Sequence, residues 1–157
     1  MIRSAMAVPW ASIDNKETGM MNNEKKTFEM NIRVRYAECD PMGVVHHSKY
    51  FEYFEMARTE LLRRAGMRYR DLEKRGILFA VTKLECRFRR PARYDDELVL
   101  KVKITRMTRA RIDHEYKLYR DGIELCEATS VLACVDGQGN VIPIPDDVRD
   151  GSNKARL

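Results

Sequence analysis

The sequence of 157 residues lacks a long apolar run, and its four cysteines lack the spacing of a metal site. A membrane-spanning helix needs roughly 18 or more consecutive apolar residues, and residues 1–21 contain no continuous apolar stretch of the kind found in a secretory signal. We therefore expect no membrane span and no signal peptide, and a cytoplasmic protein. Without a C-x-x-C pair or Cys/His ligand spacing, the sequence predicts no zinc site and no redox motif. The cysteines, interpreted as reduced thiols, are Cys39, Cys86, Cys126 and Cys134.

A strong bias in charge is also missing. The net charge is +5, and 44% hydrophobic with 34% charged residues is the balance of a single globular domain. The basic residues are nevertheless clustered, and four arginines lie within CRFRRPARY, residues 86–94. Clusters of this kind bind nucleic acid in other proteins, but no recognised nucleic-acid motif accompanies this one. We expect no nucleic-acid partner, and a small polyphosphate ligand or a solvated surface explains the arginines equally well.

Hydrophobic periodicity divides the chain into a polar tail, one domain and a second, short tail. Residues 1–25 show no sustained period, and we expect these and residues 149–157 to be flexible, with the domain at residues 26–148. Residues 28–36 alternate apolar and polar side chains up to Tyr36, as a half-buried strand does. From about Ser48 the period becomes helical for about 18 residues, until Gly66 provides a natural stop.

The second half of the domain indicates a short helix and then strands. We expect the helix at residues 69–75. Residues 77–88 are apolar on both faces at their start, which predicts a centrally placed strand. Two longer segments flank Asp121-Gly122, a hairpin turn. One long helix and about five mostly antiparallel strands predict an α+β domain in which the sheet wraps the helix, and whose other face and edges meet water or a second subunit.

The segment DPMGVVHHSKY, residues 40–50, places a carboxylate in a turn just before the long helix. The first N–H groups of a helix have no internal acceptor, so they can stabilise the oxyanion that forms when a carbonyl is attacked. A carboxylate opposite them can act as a general base or as a nucleophile. Asp40 and the helix start near Val45 therefore supply what acyl transfer requires, and Gly43 permits a close approach of the backbone. The alternative is ordinary turn chemistry, in which Asp40 only caps backbone amides.

The side chains that follow the turn also have two interpretations. His46 and His47 are adjacent in sequence, so we expect their rings to point to different sides, and with no third ligand spaced nearby they predict no metal site. Each is either a participant in the chemistry or a hydrogen-bonding residue at the rim. Tyr50 belongs to an aromatic stripe at helical spacing, which is most often core, with one member lining a pocket.

The ordered combination of DPMGVVHHSKY, EMARTELLRRAG and RRPARYDDEL closely resembles the hotdog-fold 4-hydroxybenzoyl-CoA thioesterase family, and within it the bacterial acyl-CoA thioesterase branch of the Tol-Pal type. The likeness extends over residues 28–145. It implies a hotdog fold and subunits that dimerise by joining sheets and often pair again into tetramers. It also implies that Asp40 is the catalytic carboxylate and that His47 offers its backbone N–H to the thioester carbonyl. His46 departs from the tyrosine or phenylalanine that the family often has at this position.

The resemblance implies a substrate as well. The expected activity is hydrolysis of an acyl-CoA to a free acid and coenzyme A, without a metal or a cofactor, because coenzyme A is part of the substrate. Arg89, Arg90 and Arg93 would then bind the phosphates of coenzyme A. The other expected substrate-binding residues are Gly43, Val45, His46 and Tyr50. An acyl-acyl carrier protein thioesterase is one alternative, and a non-catalytic acyl-binding hotdog protein is another.

Overall fold

A computed structural model describes residues 26–151 of the chain. The predicted N-terminal tail and residues 152–157 lie outside the described residues. The strands are β1 (Thr27–Arg33), β2 (Leu78–Phe88), β3 (Glu97–Met107), β4 (Arg111–Arg120) and β5 (Ile123–Val135). The helices are α1 (His47–Arg64), α2 (Tyr69–Lys74) and α3 (Asp146–Arg149), and one 3-10 turn, Tyr36–Glu38, precedes α1. The short helix expected before Gly76 is confirmed as α2, whereas α3 was not predicted and includes Arg149, which was assigned to the C-terminal tail.

The five strands form one antiparallel sheet in the order β1-β3-β4-β5-β2. Two hairpins, β3–β4 and β4–β5, make its centre, and β1 and β2 complete its two edges. The hairpin expected at Asp121-Gly122 is confirmed, since these residues have φ angles of 50° and 75°, as a type I′ turn requires. No helix within residues 26–151 is long and apolar enough to cross a membrane. The predicted α+β class, with about five strands and one long helix, is confirmed.

The prediction that residues 77–88 form a central strand is wrong, because β2 lies at an edge of the sheet. The apolar start of the strand has a local cause: the ring of Phe79 packs beside Tyr69, with centroids 6.4 Å apart, in a satellite cluster at the end of α1. Further along the strand, Val81 is 45% exposed. Periodicity reports which side chains are covered, but it does not report whether the cover is a neighbouring strand, a helix or a second chain.

α1 forms where the helical spacing predicts it, and it buries one stripe of side chains. The stripe comprises Tyr50, Tyr53, Phe54, Ala57 and Leu61. Phe54 stacks on Tyr116 of β4 with 4.7 Å between ring centroids. Leu100 and Leu118, which lie opposite each other on β3 and β4, are fully buried in the same cluster. Removal of this apolar surface from water is what holds the sheet around the helix.

β1 is shorter than its alternation predicts. The strand ends at Arg33, and Tyr36, which was expected on the buried face, is 79% exposed in the 3-10 turn. Val34 remains buried and exchanges backbone hydrogen bonds with Asp95 and Asp96 before the chain bends away from the sheet. The bend brings residues 36–46 to the N-terminus of α1. This segment is therefore positioned by the fact that β1 ends early.

Candidate active site

Residues 38–46 form a tight hairpin-like loop that runs directly into α1. Cys39 and Val45 pair as an isolated antiparallel bridge. Beside this bridge, the His46 N–H donates to the Glu38 carbonyl at 2.9 Å. The loop is therefore held by backbone hydrogen bonds on the side where it meets the helix, which fixes the residues of its tip relative to the first turn of α1.

Asp40 lies at the tip of this loop. Its N–H donates to the Val44 carbonyl, and its carbonyl accepts from the Gly43 N–H, both at 2.9 Å. Its Oδ1 accepts the Met42 N–H at 2.9 Å, so the capping role that was considered for this carboxylate is real. The role engages one oxygen, however, and no residue that the structure describes donates to Oδ2. Gly43 has a φ of 75°, which any other residue would adopt only with strain.

The backbone N–H groups at the start of α1 are not equivalent. The Val45 N–H donates to the Ala92 carbonyl at 2.8 Å, and the His46 N–H is taken by the loop. The Ser48 N–H donates to Nδ1 of His46, which is the N-cap of the helix, at 3.2 Å. The His47 N–H has no acceptor among the residues that the structure describes. His47 is the first residue of α1, where the partial positive charge of the helix is concentrated.

The rings of His46 and His47 lie together with their centroids 4.0 Å apart, so the prediction that they point to different sides is wrong. The cause is the capping role of His46, which has an extended backbone and turns its ring back over the first turn to accept the Ser48 N–H. In the tautomer that accepts the Ser48 N–H at Nδ1, the His46 ring carries its proton on Nε2. Both histidines are exposed, and within residues 26–151 no group of three or more potential metal ligands occurs.

Tyr50 lies behind the loop and is 3% exposed. Its hydroxyl oxygen accepts the Ala92 N–H at 3.3 Å, and its ring meets Phe88 of β2 edge-on, with 4.9 Å between centroids. Burial raises the pKa of the Tyr50 phenol, and the hydrogen bond from Ala92 opposes that shift. Tyr50 therefore forms a rigid inner wall that joins the first turn of α1 to the end of β2.

The three arginines expected at the coenzyme site have different surroundings. Arg93 is brought to the loop, because a Cβ placed on Gly43 would lie 4.0 Å from its Nη1. Arg90 has an exposed side chain at the end of β2. Arg89 is held at the sheet surface by two glutamates, Glu124 at 3.2 Å and Glu127 at 2.7 Å. The structure therefore places Arg93 beside the Asp40 loop, whereas Arg89 is paired with glutamates on the surface of the sheet.

Glu38 is a site residue that the sequence did not reveal. Its side chain is 4% exposed and accepts four hydrogen bonds. Oε2 accepts the Arg35 N–H and the Tyr53 hydroxyl, both at 2.8 Å, and Oε1 accepts Nε and Nη2 of Arg35 at 3.1 and 2.9 Å. Burial would raise the pKa of Glu38, but these hydrogen bonds outweigh it and hold the pKa below the ordinary carboxyl value. The available sequence signal was an acidic residue three positions after an arginine, which is too common to single it out.

An apolar cavity lies at the other end of α1. It has a volume of about 170 Å³ and is lined by residues of α1 and of the sheet, including Arg58, Leu62, Phe79, Met107, Ile112 and His114. His114 is 6% exposed, and its Nδ1 has no hydrogen-bond partner in the part of the chain that the structure describes. Burial, with a smaller contribution from the charge of Arg58, lowers the pKa of His114 to about 3. An apolar cavity is a common kind of ligand site, but the Asp40 carboxylate and the His47 amide supply the groups that acyl transfer requires.

A sheet wrapped around one long helix, with a carboxylate loop at the start of that helix, defines a hotdog-fold thioesterase. Residues 34–151 match the thioesterase-like superfamily, and the chain belongs to this family. The acyl-CoA thioesterase YbgC of Haemophilus influenzae is 34% identical over 124 residues, which cover 78% of this chain and 91% of the relative. The putative acyl-CoA thioesterase YneP of Bacillus subtilis is 36% identical over 106 residues, which cover 67% of this chain and 77% of the relative.

Solved structures agree with this assignment. The DHNA-CoA thioesterase from Staphylococcus aureus superposes with a TM-score of 0.71 at 30% sequence identity, covering 77% of this chain and 81% of that chain. The family, the fold and the class of enzyme predicted from the sequence, a thioester hydrolase, are confirmed by these comparisons.

Proposed function

We propose that this protein is an acyl-CoA thioesterase in which Asp40 is the catalytic carboxylate and the His47 N–H is the oxyanion donor. One observation supports these roles above all: the loop holds a carboxylate oxygen, and the helix start holds an N–H, that have no partner among the residues the structure describes. The amide lies at the positive end of α1, where it stabilises charge that develops on a carbonyl oxygen. The relatives named as acyl-CoA thioesterases support the substrate class.

The same two groups serve either of two routes. In the general-base route, Asp40 takes a proton from water while the water oxygen bonds to the thioester carbon, and negative charge collects on the carbonyl oxygen at the His47 N–H. The C–S bond then breaks, and the proton passes from Asp40 to the departing sulfur. In the nucleophilic route, Asp40 bonds to the carbon, the thiolate leaves, and water hydrolyses the resulting anhydride. Neither route calls on a metal or a cofactor, and Val45 shapes the loop from the buried side.

The carrier of the acyl group is proposed to be coenzyme A, bound at its phosphates by Arg93 and Arg90. Guanidinium groups pair well with phosphate oxygens. Arg93 lies beside the loop, and Arg90 is exposed three residues earlier in the chain. An acyl carrier protein is the second candidate, because the same exposed arginines would suit an acidic protein surface. The two candidates are separated by assaying one acyl group on both carriers.

The proposed active unit is a homodimer, and pairs of dimers would give a homotetramer. β2 is an edge strand whose Val81 and Phe88 are 45% and 46% exposed, and pairing it with its copy would satisfy the open edge. Light scattering at micromolar concentration should give a mass of two or four chains. Val81→Glu should weaken the assembly, whereas Thr129→Glu, an exposed position on β5 away from the edge, should not. A monomeric wild type with full turnover would refute the dimer.

The decisive test of the activity is a panel of aliphatic and aromatic acyl-CoAs, with the released thiol measured. We expect turnover with at least one member, and the panel also reports acyl length. Binding without turnover would favour the non-catalytic acyl-binding alternative, and no binding at all would refute both. The cytoplasmic location stays a prediction from the sequence.

A further inference from the structure

Glu38 connects three parts of the site that are otherwise separate. Its carbonyl accepts the N–H of His46, the N-cap of α1. Its carboxylate accepts the hydroxyl of Tyr53, which lies in the second turn of the same helix and is 2% exposed. Arg35 closes over it from the end of β1. Because Asp40 is only two residues further along the chain, a shift of Glu38 would move the catalytic carboxylate relative to the helix start.

The Glu38 carbonyl also decides which helix N–H stays open. Without that acceptor, the His46 N–H would compete with the next one for an anion, and the position of a bound oxyanion would not be unique. With the acceptor in place, the His47 N–H is the one backbone donor of residues 45–48 that has no acceptor within residues 26–151. The geometry of attack in acyl transfer is demanding, and a misplacement of about 1 Å costs on the order of 100-fold in rate.

A buried carboxylate is a poor choice for a residue that only adds stability. Desolvation of the charge opposes the gain from its partners, so a buried ion pair often contributes little compared with apolar packing. A fully hydrogen-bonded buried charge instead fixes one arrangement of the groups around it. Glu38 has this character, because both of its oxygens are engaged and its partners lie on separate elements.

We propose that Glu38 is a positioning residue of the thioesterase: it holds the Asp40 loop on α1 so that Asp40 and the His47 N–H face the same reacting carbon. This inference rests on the proposed function, because it needs Asp40 and His47 to be the reacting groups. Glu38 itself touches neither substrate nor reacting atoms.

The first test is Glu38→Gln, which keeps the size of the side chain and an acceptor for Tyr53 but sets an amide N–H2 against the Arg35 guanidinium. We expect kcat to fall about tenfold or more, with KM within about twofold of wild type, because the loss falls on the transition state. The matched control is Glu52→Gln, the same change at an exposed carboxylate on the same helix, which pairs with Lys49 at 2.9 Å. The control should keep the wild-type kcat.

A double-mutant cycle separates positioning from a loss of folded protein. If Glu38 acts through Asp40, then Glu38→Gln should lower the residual rate of Asp40→Asn by no more than about twofold, since the group being positioned is already gone. A purely structural effect would lower both rates by the same factor. Equal factors, or a kcat for Glu38→Gln within twofold of wild type, would overturn the proposal.

Tyr53→Phe keeps the proposal testable if Glu38→Gln does not fold, because it removes only one hydroxyl from the network. We expect a several-fold lower kcat at unchanged KM, and an unchanged kcat would count against positioning. Amide hydrogen exchange gives a readout that is independent of turnover: the His46 N–H should be protected in wild type and lose protection in Tyr53→Phe, but not in Glu52→Gln. A wild type with a protected His46 amide and no hydrolysis would refute the proposed function, whereas an active wild type whose His46 amide is unprotected would refute the role of Glu38.

Discussion

The two ends of α1 are built in opposite ways. At the start of the helix, most backbone N–H groups of residues 38–48 are engaged, and those left without an acceptor within residues 26–151 belong to Val44 and His47. One carboxylate oxygen of Asp40 is also without a partner there. At the other end, the helix and the sheet leave a cavity of about 170 Å³, lined by His114, whose buried Nδ1 has no partner among these residues. The start of α1 holds polar atoms in fixed positions, whereas the other end leaves an unfilled volume between the helix and the sheet.

The difference teaches that an apolar cavity and the most constrained hydrogen-bond geometry need not coincide. The cavity offers apolar volume, whereas the Asp40 loop offers an N–H and a carboxylate oxygen that have no partner within residues 26–151. Catalysis of acyl transfer depends on donors held in advance at the position of the oxyanion. Fixed donors and acceptors are therefore the better guide to the chemistry, and the following experiments test this.

The largest effect should come from Asp40→Asn. The amide retains an oxygen that accepts the Met42 N–H, so the loop and the melting temperature should change little, whereas general-base and nucleophilic catalysis are both lost. We expect kcat to fall about 100-fold or more, a size typical of the loss of a catalytic base. Steady-state kinetics measure the fall in kcat, and thermal unfolding measures the melting temperature as the control. Near wild-type turnover in Asp40→Asn would mean that the reaction does not take place at this end of α1.

A pair of substitutions at His47 separates the backbone amide from the imidazole. Proline suits the first residue of a helix, and the extended His46 before it, with ψ of 138°, is compatible with a following proline. His47→Pro removes the oxyanion donor and should lower kcat on the order of 100-fold. His47→Ala keeps the N–H and should cost much less. If the alanine variant is as inactive as the proline variant, the side chain rather than the amide carries the effect.

A smaller effect is expected at the arginines proposed to bind the phosphates of coenzyme A. Arg93→Ala and Arg90→Ala should raise KM for acyl-CoA several-fold with little change in kcat, because they lose binding that is common to the ground and transition states. Arg89→Ala should have less effect, since its guanidinium is held by Glu124 and Glu127. A short acyl thioester that lacks the nucleotide is the control and should not respond. Equal damage with that truncated substrate would argue against a phosphate contact.

The smallest effect concerns stability at the cavity end. The pKa of His114 is about 3 in the folded protein, against an ordinary value of 6.5, so below pH 6.5 the unfolded chain binds a proton that the folded protein does not. The free energy of unfolding should therefore decrease as the pH falls from about 6.5 towards 3, by at most about 1.4 kcal/mol per pH unit from this group. Urea unfolding at pH 7, 6 and 5 should show a shallower decrease in His114→Leu. An identical decrease in both proteins would mean that His114 is not held neutral.

Local pattern was sufficient for much of this molecule, and the reasons are physical. The helical stripe of α1 and the hairpin at Asp121-Gly122 are set by period and turn geometry, which a sequence displays directly. Asp40 could be singled out because turn residues next to a helix start are also a local pattern, and its catalytic role stays a prediction. The position of β2 in the sheet was not predicted, because alternation describes the faces of a strand and not the strands beside it.

The contacts that local pattern did not reveal are of two kinds. Glu38 is explained by Tyr53, which follows it by 15 positions on another element. Arg89, a predicted phosphate ligand, contacts Glu124 and Glu127 of β5, and its role in the coenzyme site stays a prediction. His46 caps α1 through Ser48, only two residues away, but it is an unusual N-cap, because serine, threonine, aspartate and asparagine are the preferred residues there. The first two cases required a tertiary contact, and the third involved an uncommon residue type.

The strand order also implies an order of events when the chain folds. β3, β4 and β5 follow one another through short turns, so this meander forms from local contacts, whereas β1 pairs with β3 across a separation such as Thr27 to Lys103. Closing long loops is slower than closing short ones. The Asp40 loop sits between β1 and α1, and it is complete only when both have docked on the meander. We expect substitutions in the β4–β5 hairpin to change the folding rate, and substitutions in the loop to change mainly the unfolding rate, so that the Asp40 end of the helix is the last part to form and the first to open.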